Sequence, residues 1–313
     1  MTQTAAPAGA EPAGAGASAG AAAASGSGAA VLDDFDSRPG GSMSLLRTIV
    51  GSSLRQLGGW MPASGAVSML DALDIPASTA RSTLTRLAAR GVLVREPRDG
   101  VAGYALRREA VPMLERGDAR IFQPTASADA AWCLVSFSIP ERHRDRRHQL
   151  RRRLDWIGCG TVSDALWIGP ERVADDVRDI LADLRLTGEV TVFTGARPDA
   201  DRPLAELAGR WWDLERVRML HQRFLDRYAP AASAPPVGDR EAFATWVGAL
   251  DEWRVIPYLD PGLPETALPA GWPGRASREL FADIRERYAD AAVAFARRVT
   301  GCGQPARTPA IPR

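Results

Sequence analysis

PASTARSTLTRLAARG, residues 76–91, decides how the first third of the chain is read. It predicts a helix entered at Pro76 and stopped by Gly91, because proline suits a helix entrance and glycine an exit. At about 100° per residue, Ala80, Leu84, Leu87 and Ala88 share one face. Ser78, Ser82, Thr85 and Arg86 share the other, with Arg81 at the boundary. Upstream, residues 64–73 place Val67, Leu70 and Leu73 at helical spacing, with Ser64 as the expected N-cap. Downstream, 92–95 and 104–106 flank a turn-rich stretch that reads as a hairpin with Arg98 near its tip.

A solvated amphipathic helix would carry the same polar face. The order helix, turn, helix, hairpin is what favours DNA, since it is the order of a winged helix-turn-helix. Small hydroxyls let a helix backbone approach the major groove, and guanidinium forks bind phosphates or guanine edges. Ser78, Thr79, Arg81, Ser82, Thr85, Arg86 and Arg98 are therefore the candidate DNA-binding residues. Residues 43–123 hold eleven arginines against seven acids, so positive charge gathers around the motif although the whole chain carries only +1. Every one of the 39 basic residues is arginine, which lowers the weight of any single one.

The 313 residues exceed one compact core, and an apolar content of 45% with 25% charged residues is that of an ordinary globular protein. The expected class is α+β multidomain. Residues 1–41 are Ala/Gly-rich and too poor in large side chains to form a core, so a disordered leader is expected. A winged-helix DNA-binding domain follows over 42–123, in which Leu45, Leu46, Ile49, Val50, Leu54 and Leu57 form a helical stripe behind the helix-turn-helix. A helix over 108–122 with Pro112 in its first turn leads out of it.

Residues 130–197 alternate strand, helix, strand, helix, strand, which fits a small ferredoxin-like domain. The strands are read at 132–139, at 166–168 ending before Gly169-Pro170, and at 189–193. The helix over 142–156 aligns Leu150, Leu154 and Ile157 and carries seven arginines. The helix over 171–186 turns Val173, Val177, Ile180, Leu181 and Leu184 inward. Residues 204–300 read as a helical C-terminal domain, with helices at 214–228, 243–259 and 275–299 separated by Pro-rich breaks at 229–237 and 260–274. A flexible tail is expected over 301–313.

Cys133, Cys159 and Cys302 give no paired spacing, so neither a disulfide framework nor a zinc site follows. No run approaches the ~18 apolar residues of a membrane span, and the first 30 residues lack the charged start of a secretory signal. A cytoplasmic protein is the expectation.

Thr79-Ala80-Arg81-Ser82-Thr83-Leu84-Thr85-Arg86-Leu87 with Gly91-Val92-Leu93 carries a wider likeness. It is joined by Phe137-Ser138-Ile139-Pro140-Glu141, Leu150-Arg151-Arg152-Arg153-Leu154 and Leu166-Trp167-Ile168. Asp251-Glu252-Trp253-Arg254, Asp260-Pro261-Gly262-Leu263-Pro264 and 268–274 complete it. Over about 44–288 and in this order, the chain resembles the phenylacetate-degradation repressor (PaaX-like) family. That resemblance implies a homodimeric repressor of an aromatic-acid or related catabolic operon. It also implies double-stranded operator DNA as partner and an acyl-CoA or aromatic-acid effector, held between the middle and C-terminal domains. By this likeness Arg81 and Arg86 fall on recognition-helix arginines; Pro76 departs from the family's usual Ser or Asp cap.

The middle domain is also similar to small CRISPR-associated ferredoxin-fold nucleases, whose metal-binding aspartate slot is here Ser138. A hydroxyl is no substitute for a carboxylate as a hard-metal ligand of this kind, so a scaffold is expected. The Arg142–Arg153 helix has three readings: a DNA phosphate contact, a coenzyme A phosphate contact, or a solvated face. Trp211, Trp212, Trp246, Trp253 and Trp272 are read as core, with an aromatic acyl pocket as the alternative. No phosphate loop appears. His143, His148 and His221 have no catalytic or metal-ligand partner at sequence spacing, so no enzyme, cofactor or metal is expected. The alternative left open is an enzyme acting on a CoA thioester, with the N-terminal domain as a protein-interaction module.

Overall fold

The computed structural model describes residues 38–122, 131–197, 201–233 and 238–302. The expected leader up to residue 37, the segment 123–130, the 234–237 part of the proline-rich break and the tail from 303 lie outside the described residues.

The apolar stripe of the first helix changes pitch along its length. Helix α1 (Ser42–Ile49) passes into a π-turn (Val50–Leu54) and then a tight 3-10 turn (Arg55–Leu57). All six stripe residues are buried. Gly58 and Gly59 end the run at φ +82° and +77°, a conformation that glycine adopts without a Cβ clash. Strand β1 (Trp60–Pro62), α2 (Ala63–Asp71), α3 (Ala77–Ala89), β2 (Leu93–Arg95) and β3 (Gly103–Leu106) follow. The strands form an antiparallel sheet in the order β1-β3-β2. Ser64 caps nothing: α2 starts one residue earlier, with Pro62 in extended backbone at the N-cap, and the Ala63 amide donates to the Ala102 carbonyl instead (3.0 Å).

Gly103 has a steric reason to be glycine. A Cβ there would lie 2.4 Å from Trp60 Cζ2 and 2.7 Å from the Met61 carbonyl oxygen, so it would press on backbone as well as on the indole.

After a 3-10 turn, α4 (Val111–Phe122) carries Pro112 in its first turn, where the missing N–H is harmless. The middle unit runs β4 (Trp132–Phe137), α5 (Arg144–Trp156), β5 (Gly160–Ser163), β6 (Leu166–Pro170), α6 (Ala174–Leu184) and β7 (Val190–Ala196). Its four strands are antiparallel in the order β5-β6-β4-β7. Strand β5 was not expected, and β6 continues through Gly169 and Pro170, where Pro170 ends the ladder opposite Trp132. Leu150, Leu154 and Ile157 meet Val177, Ile180, Leu181 and Leu184 on one face of this sheet. Trp212, Ala208 and Leu263 cover Trp132 and Ile168 on the other.

The remainder is α7 (Leu204–Trp211), α8 (Leu214–Ser233), α9 (Asp239–Trp253), the short α10 (Ile256–Leu259) and α11 (Gly274–Thr300). Helix α8 runs past Tyr228 and through Pro230 to Ser233, because a proline so close to the end removes little of the helical ladder. The helix expected over 243–259 is two helices, parted at Arg254 and Val255.

The N-terminal and C-terminal helices share one hydrophobic core. Leu46, Ile49, Met69 and Leu84 belong to the same buried cluster as Phe243, Trp253, Phe281 and Phe295. Trp253 and Phe281 stack at 4.7 Å, and Trp246 stacks on Phe281 at 5.8 Å. A buried polar knot lies within this junction. The Asp251 carboxylate, 0% exposed, accepts from the Gly40 amide, the Ser44 hydroxyl and the Thr48 hydroxyl, each at 2.7 Å. Arg254 Nε completes the set at 3.2 Å and also reaches Thr48, while its Nη2 donates to Ser44 at 2.8 Å.

A second tie holds the middle unit. Arg120 of α4 donates to Asp176 of α6 and to the Ile157 carbonyl, both at 2.6 Å, and its guanidinium lies 4.5 Å from the Tyr258 ring.

Asp251→Ala leaves the Arg254 charge buried without its carboxylate. Urea denaturation is expected to register a loss of about 3–5 kcal/mol, the size seen when one member of a buried pair is removed. Gly103→Ala should cost about 1–3 kcal/mol by overpacking against Trp60, read in the same titration.

Candidate nucleic-acid interface

The face of α3 away from the core is open. Ala80, Leu84 and Leu87 are at most 1% exposed, which anchors the helix, while Ser78, Arg81, Ser82, Thr85 and Arg86 are exposed and Thr79 is half-buried. Three of the hydroxyls are occupied locally. Ser82 donates to the Thr79 carbonyl at 2.9 Å and Thr85 to the Arg81 carbonyl at 3.1 Å. Buried Thr83 joins Ser42 at the start of α1 (3.1 Å) and accepts from Arg86 Nη2 (3.1 Å), which draws Arg86 back along its own helix. Arg81 has no such restraint among the described residues.

Arg95 is an addition to the set. It is exposed on β2 and its guanidinium donates to the Thr85 hydroxyl at 3.1 Å, so it borders the polar face of α3. Sequence spacing hides this contact, which needs the hairpin to fold back toward the helix.

The hairpin tip is a two-residue turn, with Asp99 at φ 49° and Gly100 at φ 76°. Arg98 and Val101 exchange both backbone hydrogen bonds across it (3.0 and 2.8 Å). This is the Asp-Gly turn whose twist matches that of the flanking strands. Trp60 braces the base by donating its indole N–H to the Glu96 carbonyl at 2.8 Å. Arg98 sits 5.3 Å from the Trp60 ring and bonds Glu96 at 2.8 Å, which holds its cation on the side of the hairpin. Arg98 and the α3 face thus belong to one folded unit, and a short brace through Arg95 connects hairpin strand and helix.

His221, which has no partner at sequence spacing, gains two in the fold. His221 of α8 is 1% exposed; its Nδ1 lies 2.5 Å from Ser277 Oγ of α11 and its Nε2 lies 3.1 Å from the Asp260 carboxylate. These residues are far apart in sequence, so no local spacing announces them. The order Ser, His, Asp suggests a nucleophile, but the surroundings do not. Ser277 is 0% exposed and its hydroxyl donates to the Gly274 carbonyl at 3.1 Å, away from a substrate. The group works as a sealed polar clamp between α8, α11 and the segment after α10. Burial would raise the Asp260 carboxyl, but the His221 hydrogen bond and charge, with the Gly262 amide, hold it below the ordinary 3.8.

Trp246, Trp253 and Trp212 are core residues, each under 9% exposed. In the Arg-rich α5, Arg147 pairs with Glu141 at 2.7 Å and Arg153 with Asp183 at 2.5 Å. Burial pushes the Cys133 thiol up to about 11, and the Cys159 thiol well above its ordinary value for the same reason, so neither suits nucleophilic chemistry. Among the described residues no cluster of three or more His, Cys, Asp or Glu could hold a metal ion, and no helix is long and apolar enough to cross a membrane.

With this geometry in view, family comparison is decisive. Residues 42–110 match the model of the PaaX-like protein, 125–207 that of the PaaX protein central Cas2-like domain, and 212–298 that of the PaaX-like protein C-terminal domain. The chain belongs to the PaaX-like family. Among curated relatives of this PaaX-like chain is the Transcriptional repressor PaaX of Escherichia coli (strain K12), 24% identical over 82% of this chain and 83% of that one. Among solved structures it resembles the uncharacterized protein Rv0674 from Mycobacterium tuberculosis. That likeness has a TM-score of 0.52 at 24% identity, with 80% of this chain and 97% of that one covered. It bears on the fold alone, and agrees with a mixed α+β architecture of several parts.

Because the Asp260 pKa is depressed on folding, its stabilising contribution is present above pH ~4 and is lost as pH falls through the lower native value. The melting temperature of the wild type should therefore drop as pH is lowered from 5 to 3. The drop should be shallower in Asp260→Asn, which has no carboxylate to protonate.

Proposed function

We propose that this chain is a DNA-binding transcriptional repressor. On this reading residues 42–123 are a winged-helix domain in which α3 enters the major groove and the β2–β3 hairpin is the wing. Residues 130–197 are a ferredoxin-like domain, supported by the β-α-β-β-α-β order and the 2-3-1-4 strand arrangement within that unit. The 204–300 helices close the core behind the DNA-binding face. The chain acts as a homodimer that reads two half-sites about one helical turn apart. An acyl-CoA or aromatic acid relieves repression of a catabolic operon by binding more tightly to the arrangement that does not fit DNA.

One observation carries this reading. Ser78, Arg81, Ser82 and Thr85 stand exposed on a single face of a well-anchored helix, beside a hairpin that bears Arg95 and Arg98. The family and the repressor relative support it from a separate direction. The reading assigns base contacts to Arg81 and the α3 hydroxyls, and phosphate contacts to Arg86, Arg95 and Arg98.

Gel retardation of the DNA upstream of its own gene tests it. Arg81→Ala should weaken operator binding by about 1–3 kcal/mol while leaving random-sequence binding little changed. An equal loss on both DNAs would move Arg81 to the phosphate set. Absence of retardation, together with turnover of CoA thioesters by the purified protein, would replace the repressor with the enzyme.

A further inference from the structure

We infer that the cavity lined by α1 and its π-turn, α4, α9 and α10, with Trp156 of α5, binds a small ligand presenting one apolar ring or chain of about six carbons. The inference rests on the regulatory reading above and gives its effector a place.

The cavity measures about 140 Å³, close to the ~150 Å³ apolar space that admits a benzene ring. Val50, Met113, Leu114, Phe122, Trp156 and Tyr258 supply an apolar and aromatic wall drawn from all three parts of the chain. Such a pocket with few polar groups is the usual form of a small-molecule site. Of the charged groups at its edge, Arg254 is already paired with Asp251 and Asp118 with Arg55. The wall therefore selects for apolar volume rather than for a charge on the ligand.

Its location connects it to the DNA-facing helix. Val50 and Gly51, the first residues of the π-turn, form part of the wall. π-turns are rare and recur at functional sites. Across the cavity a Cβ on Gly51 would lie 3.8 Å from Leu114 Cδ2, so the π-turn and α4 face each other at close range. At its other end α1 is tied to α3 by the Ser42–Thr83 hydrogen bond. A ligand that displaces Val50 and Gly51 thus acts on α1, and α1 acts on the pose of α3.

The full-length protein is titrated with hexanoic, benzoic and phenylpropionic acids and with acetic and palmitic acids, each free and as its coenzyme A thioester. Trp156 emission and calorimetry are followed, with Trp156→Phe as the assignment control. The six- to nine-carbon probes should bind saturably and change Trp156 emission, whereas acetyl and palmitoyl probes should not. Leu114→Trp and, separately, Gly117→Leu fill the cavity. Each should weaken probe binding by at least about tenfold, or 1.4 kcal/mol. Wild-type affinity in both filled variants, or no binding by any probe to the wild type, overturns the site. Saturable binding lost in the filled variants, in a protein that retards no DNA, supports the cavity and refutes the repressor instead.

Discussion

The structure depends on a carboxylate sealed away from water. Asp251 comes from α9, yet it accepts hydrogen bonds from the chain more than 200 residues earlier, at Gly40, Ser44 and Thr48. Desolvating a carboxylate is expensive, and only a full set of short donors with Arg254 alongside makes it tolerable. Few geometries satisfy that demand. The polar knot therefore fixes how α1 lies on α9, and the apolar cluster from Leu46 to Phe295 fills in around it. Because α1 also backs α3, the orientation of the exposed α3 face is set by helices at the far end of the sequence.

This arrangement separates anchoring from recognition. Buried polar groups such as Asp251 and His221 serve as fixed joints, since each is paired and neither meets solvent. The side chains free to meet a partner are on the outer face of α3 and on the hairpin, where local hydrogen bonds are weak and exchangeable with water. Surface ion pairs elsewhere, as along α5, add little to stability. The near-neutral charge of the chain is compatible with DNA binding because its arginines gather locally around the proposed reading head.

Much of this was legible in the sequence wherever the decisive interactions are local. Pro76 and Gly91 bracket α3 within a residue or two, and Asp99-Gly100 announces a tight hairpin because few other pairs accept two positive φ values. The hydrophobic stripes of α1, α5 and α6 all point inward as their periodicity indicates. What escaped depends on distant partners. Gly160–Ser163 has too little apolar character to read as a strand, and pairs because β6 lies beside it. Pro230 looks like a break until its place in the last turn of α8 is known. Asp251, His221, Ser277 and Arg95 are ordinary polar residues in sequence, and only tertiary contact reveals two buried clamps and a brace.

Hydrogen exchange on the intact protein, with and without the duplex upstream of its own gene, tests the central claim that α3 and the hairpin form the DNA-contacting surface. The account predicts added protection confined to residues 77–101, with the α9–α11 core slow to exchange in both states. DNA retained with its protection falling on the Arg-rich α5, and none on α3, would contradict it.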